Sequence, residues 1–191
     1  MLYVLFNTTI VNAAWYNPAW NNRIKITVNK SQVNGSVSDF PVYINLDDLP
    51  DSFFDNCNNN GSDLRVTNSD GSSELAREIV FVDKTANTGE LWFKAPSLTS
   101  ASNGNFYIYY GNSSATEPGA ATTYGSQNVW SNGFVAVYHM NAVTNGAASV
   151  LDSTSFVNHG TPTGGMTSST DLVSGKIGNA IDFDGINDRV R

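Results

Sequence analysis

The residues able to do chemistry in this chain are few, and most of them are oxygen donors. Asp152, Asn158, Asp182, Asp184 and Asp188 gather toward the end of the sequence and carry the carboxylate and amide oxygens that a hard cation such as Ca²⁺ takes. Asn56, Asn58, Asn60 and Gly61 copy the alternating ligands and the glycine of an EF-hand loop. The first position is Asn, however, and the twelfth is Thr67 where a bidentate Glu is required, so an Asn-rich turn is expected instead. There are two histidines. His139 ends the alternating run Val135, Val137, His139 and is expected to be packed or hydrogen-bonded, and His159 stands in a loop beside Gly160. Glu74 and Glu78 are four apart, which on a strand means one face, and Arg65 and Arg77 predict cross-strand ion pairing rather than acid–base work. A glycosidase holds two carboxyl groups about 5 to 9 Å apart across its sugar, and the sequence indicates no such pair. The expectation is a chain that is not an enzyme.

Two aromatic clusters, Trp15, Tyr16 and Trp20, then Tyr107, Tyr109 and Tyr110, could stack on sugar faces. Aromatics in strands more often pack in cores or across strands, and that is the leading expectation here. Cys57 is the only cysteine, so it forms no intrachain disulfide. It is read as a small residue in a loop or partly buried, with an intermolecular bridge as the alternative.

The elements that position these residues read as strands. Ile24, Ile26 and Val28 alternate with Arg23, Lys25 and Thr27, giving a half-buried strand with a charged outer face. After the turn Asn34-Gly35-Ser36 a second strand runs from Phe40 to Leu46, with Pro41 at its start. Leu49 to Phe54 predicts one helical turn behind Pro50. Leu64 to Thr67, the turn Asn68 to Gly71, and Leu75 to Val82 predict a hairpin. Glu90 to Ala95 and Asn105 to Tyr110 complete about six strands at short spacing, the pattern of a β-sandwich. Gly111 to Asn132, rich in Gly, Ser, Ala and Thr, reads as a linker anchored by Tyr124 and Trp130.

Composition agrees. Charged residues make up 14% and aromatics 12%, a β-protein profile. Seventeen acids against ten bases leave a net charge of −7, the wrong sign for phosphate, so nucleic acid is not an expected partner. No run is long enough for a helix to span a bilayer, and membrane insertion is not expected. Residues 1–14 read in two ways: a signal-peptide-like segment, apolar from Leu2 with small residues near Ala13, or an N-terminal strand over Leu2 to Val11.

Two stretches, Phe134 to Met140 and Gly175 to Gly185, together with Asp152-Ser153 and Asn158-His159-Gly160, resemble the opening of concanavalin A-like (laminin G-like) domains. The resemblance implies a jelly roll present only in part. Because such domains commonly hold structural calcium, it also singles out Asp152, Asn158 and Asp184 as candidate calcium ligands. A second pattern comprises Trp20-x-x-Arg23-Ile24-x-Ile26, Phe40-Pro41-Val42, Gly61-x-Asp63-Leu64-Arg65, Asp70-Gly71-x-x-Glu74-Leu75, Leu91-Trp92-x-Lys94-x-Pro96 and Tyr109-Tyr110-Gly111-Asn112. It resembles an uncharacterised β-sandwich domain of secreted bacterial and archaeal proteins, often found just before a laminin G-like domain. That resemblance implies architecture and an extracellular or cell-surface location, and no site.

The expected organisation is therefore all-β: residues 1–14 as leader or strand, an antiparallel β-sandwich over 15–115, a linker over 116–133, and a partial jelly roll (concanavalin A-like) over 134–191. The expected role is a non-catalytic structural or adhesive surface protein. Its expected partners are surface glycans or copies of itself, in the latter case a filament built by strand addition with Leu2 to Val11 as donor. The alternative is a carbohydrate-binding region of a larger secreted glycan-processing enzyme.

Overall fold

The computed structural model describes residues 14–191, and its strands lie in antiparallel sheets. The expected N-terminal donor strand, Leu2 to Val11, falls outside the described residues. Strand β1 (Asn22–Val28) pairs with β7 (Gly104–Tyr110) in an unbroken register from Asn22↔Tyr110 to Val28↔Gly104. On the other side of β7 lies β3 (Arg65–Thr67), followed by β4 (Glu74–Leu75), giving the sheet order β1-β7-β3-β4. A second sheet is built from β2 (Ser36–Asn45), β6 (Thr88–Thr99) and β5 (Arg77–Asp83), in the order β2-β6-β5. Pro41 lies inside β2 rather than at its start. The chain tolerates this because β2 is an edge strand, where a missing ladder donor faces no partner.

The core lies between these two sheets. Leu91, Phe93 and Ala95 alternate inward from β6, and Phe106 and Ile108 from β7; all are buried. Period-2 alternation puts apolar side chains on one face, and burying each stabilises the sandwich by roughly 1.5–3 kcal/mol. One end is closed by α1 (Asp51–Asn56), a short helix behind Pro50. Its Phe53 and Phe54 are fully buried, with the Phe53 ring 4.9 Å from that of Tyr110.

The expected hairpin between Leu64 and Val82 is divided at Ala76. Glu74 and Leu75 stay with β3, whereas residues from Arg77 onward cross to the other sheet. The expected set of two arginines and two glutamates is thereby split, with the pairing kept for one couple only. Arg65 pairs with Glu74 at 3.3 Å, but Arg77 turns to Glu117 and Glu78 faces the opposite side of the molecule. Other sequence motifs prove to be fastenings. Trp20 Nε1 donates to the Asp63 carbonyl, and the wholly buried Asp63 carboxylate accepts from the amides of Asn58, Gly111 and Asn112. Tyr109 Oη donates to the Gly71 carbonyl at 2.8 Å.

The Gly/Ser/Thr-rich stretch read as a linker is tied back onto the sandwich. Glu117 holds Arg77, and α2 (Ser126–Val129) sets Val129 and Trp130 against Ala76 and Trp92. Beyond it the chain forms β8 (Pro162–Thr163), α3 (Ser168–Asp171), β9 (Leu172–Ser174), β10 (Asn179–Ile181) and β11 (Arg189–Val190). These strands pair as β9 with β10 and β8 with β11. Large apolar side chains stay exposed here, among them Val135, Phe156 and Ile186. Among the described residues, no helix is long and apolar enough to cross a membrane.

Candidate functional site

The outer face of the β2-β6-β5 sheet carries the polar groups. On β6 the residues alternating with the core set are Glu90, Trp92 and Lys94. Register places Trp92 between Tyr43 and Glu78, and Glu90 between Asn45 and Phe81. A sheet face of this composition reads as solvated, yet the later part of the chain covers it. The Trp130 ring lies 5.2 Å from Trp92, and the His139 ring lies 6.0 Å from Trp92 and 5.7 Å from Trp130.

Glu78 is the fastening across this contact. Its Oε2 accepts from Trp130 Nε1 at 2.6 Å and lies 3.0 Å from His139 Nε2; its Oε1 accepts from Ser153 Oγ at 2.6 Å. Ser, His and Glu are the residue types of a nucleophilic triad, but here their order is wrong. The carboxylate stands in the middle, so Ser153 hands its proton toward an acid residue and no imidazole is placed to take it. The same three contacts fill most of what a carboxylate can accept. His139 is thus packed and hydrogen-bonded, as its place on the alternating run predicts.

The candidate calcium ligands do not form a cation site as arranged. Asp152 Oδ1 accepts from the amides of Val137 and Thr154, and its Oδ2 from the Asn158 amide and the Thr154 hydroxyl. Those four bonds use the four lone-pair positions of a carboxylate, leaving none for a metal. Burial acts to raise its pKa, but the amide bonds outweigh this and hold it down at about 2. Asn158 is brought to Asp152 through its backbone, while its side-chain amide donates to the Val135 carbonyl. Asp184 lies apart in the turn after β10, where its Oδ1 accepts from the amides of Ile186, Asn187 and Asp188. Asp182 donates its amide to the Asp171 carbonyl, and Asp188 accepts from the Asp184 amide. No group of three or more His, Cys, Asp or Glu able to hold a metal occurs among the described residues. His159 serves the same loop, its Nδ1 accepting from the Asp152 amide at 2.9 Å.

Both aromatic clusters pack. Trp15, Tyr107 and Tyr109 surround the Arg23 guanidinium at 4.6 to 5.8 Å from their ring centres, and Tyr16 lies edge-on to Trp20 at 5.2 Å. Cys57 is buried. Burial first, then the nearby Asp63 charge, pushes its thiol up to about 11, an arrangement unsuited to an intermolecular bridge.

Glu90, which sequence reasoning passed over, is the exception to all this pairing. It is 6% exposed, takes part in none of the fastenings above, and lines open space instead of a packed interior. Burial pushes its pKa above the ordinary carboxylate value, a nearby His139 charge opposes this, and Asp47 adds to it. It fronts two adjoining cavities. One, of about 260 Å³, is walled by Trp92, Trp130, Phe134, Tyr138 and His139. The other, of about 340 Å³, is bounded by Tyr43, Asn45, Asp47 and the β9–β10 tip around Lys176. The signal available in the sequence was the alternation Glu90-x-Trp92, a carboxylate and an indole on one face.

Residues 60–149, a little under half of the chain, match the model of a family described as a domain of unknown function (DUF2341). The matched span contains Glu78, Glu90, Trp92, Trp130 and His139. Neither a curated protein nor a solved structure matches the chain.

Proposed function

We propose that this chain is a non-catalytic structural or adhesive module that works outside the cell. The observation that carries the reading is the Glu78 clamp. Among the described residues, the place where Ser, His and Glu meet is committed to joining the outer sheet to the segment from Trp130 onward, with most of its acceptor capacity filled. Polar contacts committed in this way rigidify a scaffold rather than poise Ser153 for proton transfer. The resemblance to secreted β-sandwich and laminin G-like domains supports the location.

Strand addition is one form of this reading. The acceptor is the apolar cavity of about 540 Å³ bordered by Tyr138, Met140, Val150, Ile181 and Phe183. Beside it, β10 pairs only with β9 among the described strands. Residues 2–11 of a second copy supply a β-branched, apolar donor. The second reading, a carbohydrate-binding region of a larger secreted glycan-processing enzyme, is favoured by the aromatic cavity in front of Glu90.

The test has two arms. Antibody labelling of intact producing cells, scored against permeabilised cells, is expected to reveal the protein at the surface; signal only after permeabilisation overturns the reading. Sedimentation of the chain with and without residues 1–13 addresses strand addition. Concentration-dependent species larger than a monomer are expected only in the longer form, and identical monomers remove that version.

A further inference from the structure

A buried polar atom seldom goes without a hydrogen-bond partner, because its desolvation is then uncompensated. The carboxylates of Asp63, Asp152, Asp184, Glu74, Glu78 and Glu117 are held by amides, hydroxyls, ring nitrogens or a guanidinium. Glu90 instead lines both cavities, and on its neighbour Trp92 the indole Nε1 is the one buried side-chain nitrogen or oxygen among the described residues that lacks a hydrogen-bond partner. An unpaired indole N–H and a carboxylate, two residues apart on one strand face and lining two cavities, describe a site completed from outside.

We propose that the paired cavities around Glu90 bind a saccharide unit, with its C–H face against Trp92 and Trp130 and its hydroxyl edge on Glu90. The chemistry of the walls selects this class. A pyranose is apolar on its faces and carries donors and acceptors around its rim. The aromatic cavity offers ring faces for the first, and a carboxylate accepts charge-assisted bonds from the second. The adjoining cavity supplies both polarities, with Asn45 and Asp47 as acceptors and the Tyr43 hydroxyl and Lys176 as donors. An organic cation would use the rings and the carboxylate but has no use for those donors.

The backbone fits the same purpose. Gly178, at the β9–β10 tip, has φ +57°, and a Cβ there would collide with Glu90 Oε1. Glycine lets the tip press against the carboxylate and form the wall of the polar cavity. The inference deepens the adhesive reading, on which it rests, by naming the ligand class.

The experiment titrates the intact 191-residue chain with glucose, galactose, mannose, N-acetylglucosamine and their β-linked disaccharides. Choline is run in parallel as the cation probe, following tryptophan emission and heat. At least one saccharide is expected to saturate, with affinity lowered at least about tenfold by Glu90→Gln and by a smaller factor by Lys176→Ala at the exposed tip. Three results overturn the proposal: no saccharide response up to about 50 mM, saccharide binding indifferent to both variants, or saturation by choline alone that depends on Glu90. Surface labelling without saccharide binding removes the site and leaves the adhesive reading standing. Saccharide binding by a chain never found at the surface does the reverse.

Discussion

Arg77 and Glu117, forty residues apart in sequence, meet in a two-pronged pair with Nη1–Oε1 at 2.7 Å and Nη2–Oε2 at 2.9 Å. The guanidinium is wholly buried and also donates from Nε to the Leu64 carbonyl, whereas the carboxylate is 42% exposed. The pair is lopsided. Removing Glu117 strands a buried cation, and removing Arg77 lets the carboxylate return to water.

From this asymmetry Glu117→Ala is expected to destabilise the fold by about 2 kcal/mol. That lies between the small effect of a surface pair and the larger effect of breaking a buried one. Urea denaturation measures it, and a change below about 0.5 kcal/mol would show that the pair is loose in solution.

Glu78→Gln keeps the shape of the clamp but replaces one acceptor oxygen with a donor that meets either Ser153 or the Trp130 and His139 pair. A loss of about 2 kcal/mol is expected, together with a red shift of tryptophan emission as Trp130 loosens. The same change at Glu74, bonded to Tyr16 and Arg65 on the far sheet, is expected to leave that emission component in place.

Two carboxylates give opposite pH signatures. Asp152 titrates below its ordinary value when folded, so its contribution is complete above about pH 4 and drains away as pH falls toward 2. Asp152→Asn is expected to flatten that acid limb in urea midpoints measured across pH. Glu90 titrates above its ordinary value when folded. Ionising it therefore costs stability as pH rises through the carboxylate range, and Glu90→Gln is expected to raise the melting temperature at pH 7. A variant both more stable and poorer at binding is the mark of a site kept at the expense of the fold. A lower melting temperature would mean that Glu90 has a structural partner.

Cys57 donates from Sγ toward the Phe54 carbonyl inside the core. A disulfide-exchange reagent is expected to leave the native protein untouched at pH 8 and to label it in urea with the same midpoint as unfolding. Rapid native labelling would place the thiol at the surface.

Much of the sandwich was legible because period-2 alternation is a local property. Ile24, Ile26 and Val28, and Phe106 and Ile108, announce their faces without reference to partners. What escaped was the choice of partner. Nothing local says that Ala76 divides a hairpin between two sheets, so Glu78 looked like a member of the same ion-pairing face as Glu74 when it belongs to Trp130 and His139. The stretch from Gly111 to Asn132 has the composition of a linker because its fastenings are only a few residues, Glu117, Val129 and Trp130 among small neighbours. Asp152 and Asp184 were chosen as oxygen donors, but their Asx-type contacts with nearby amides exist only once the turns form. Glu90 was hidden for a related reason, since a polar strand face looks solvated until something folds over it.

The register of β1 against β7 has a mechanical consequence. Asn22 opposes Tyr110, so the chain enters this ladder and leaves it at the same end. Pulling the two ends apart would open the pairs one after another, like a zipper, instead of shearing them together. The ties at either side bear the load first. Before β1, Ala14 is held by the Asp70 carbonyl, Arg23 and Tyr109. After β7, Gly111 and Asn112 are held by Asp63, Thr116 by Arg65, and Glu117 by Arg77. Under tension the strength of this module resides in those brackets, and a variant lacking the Glu117 carboxylate should yield at lower force with its ladder unchanged.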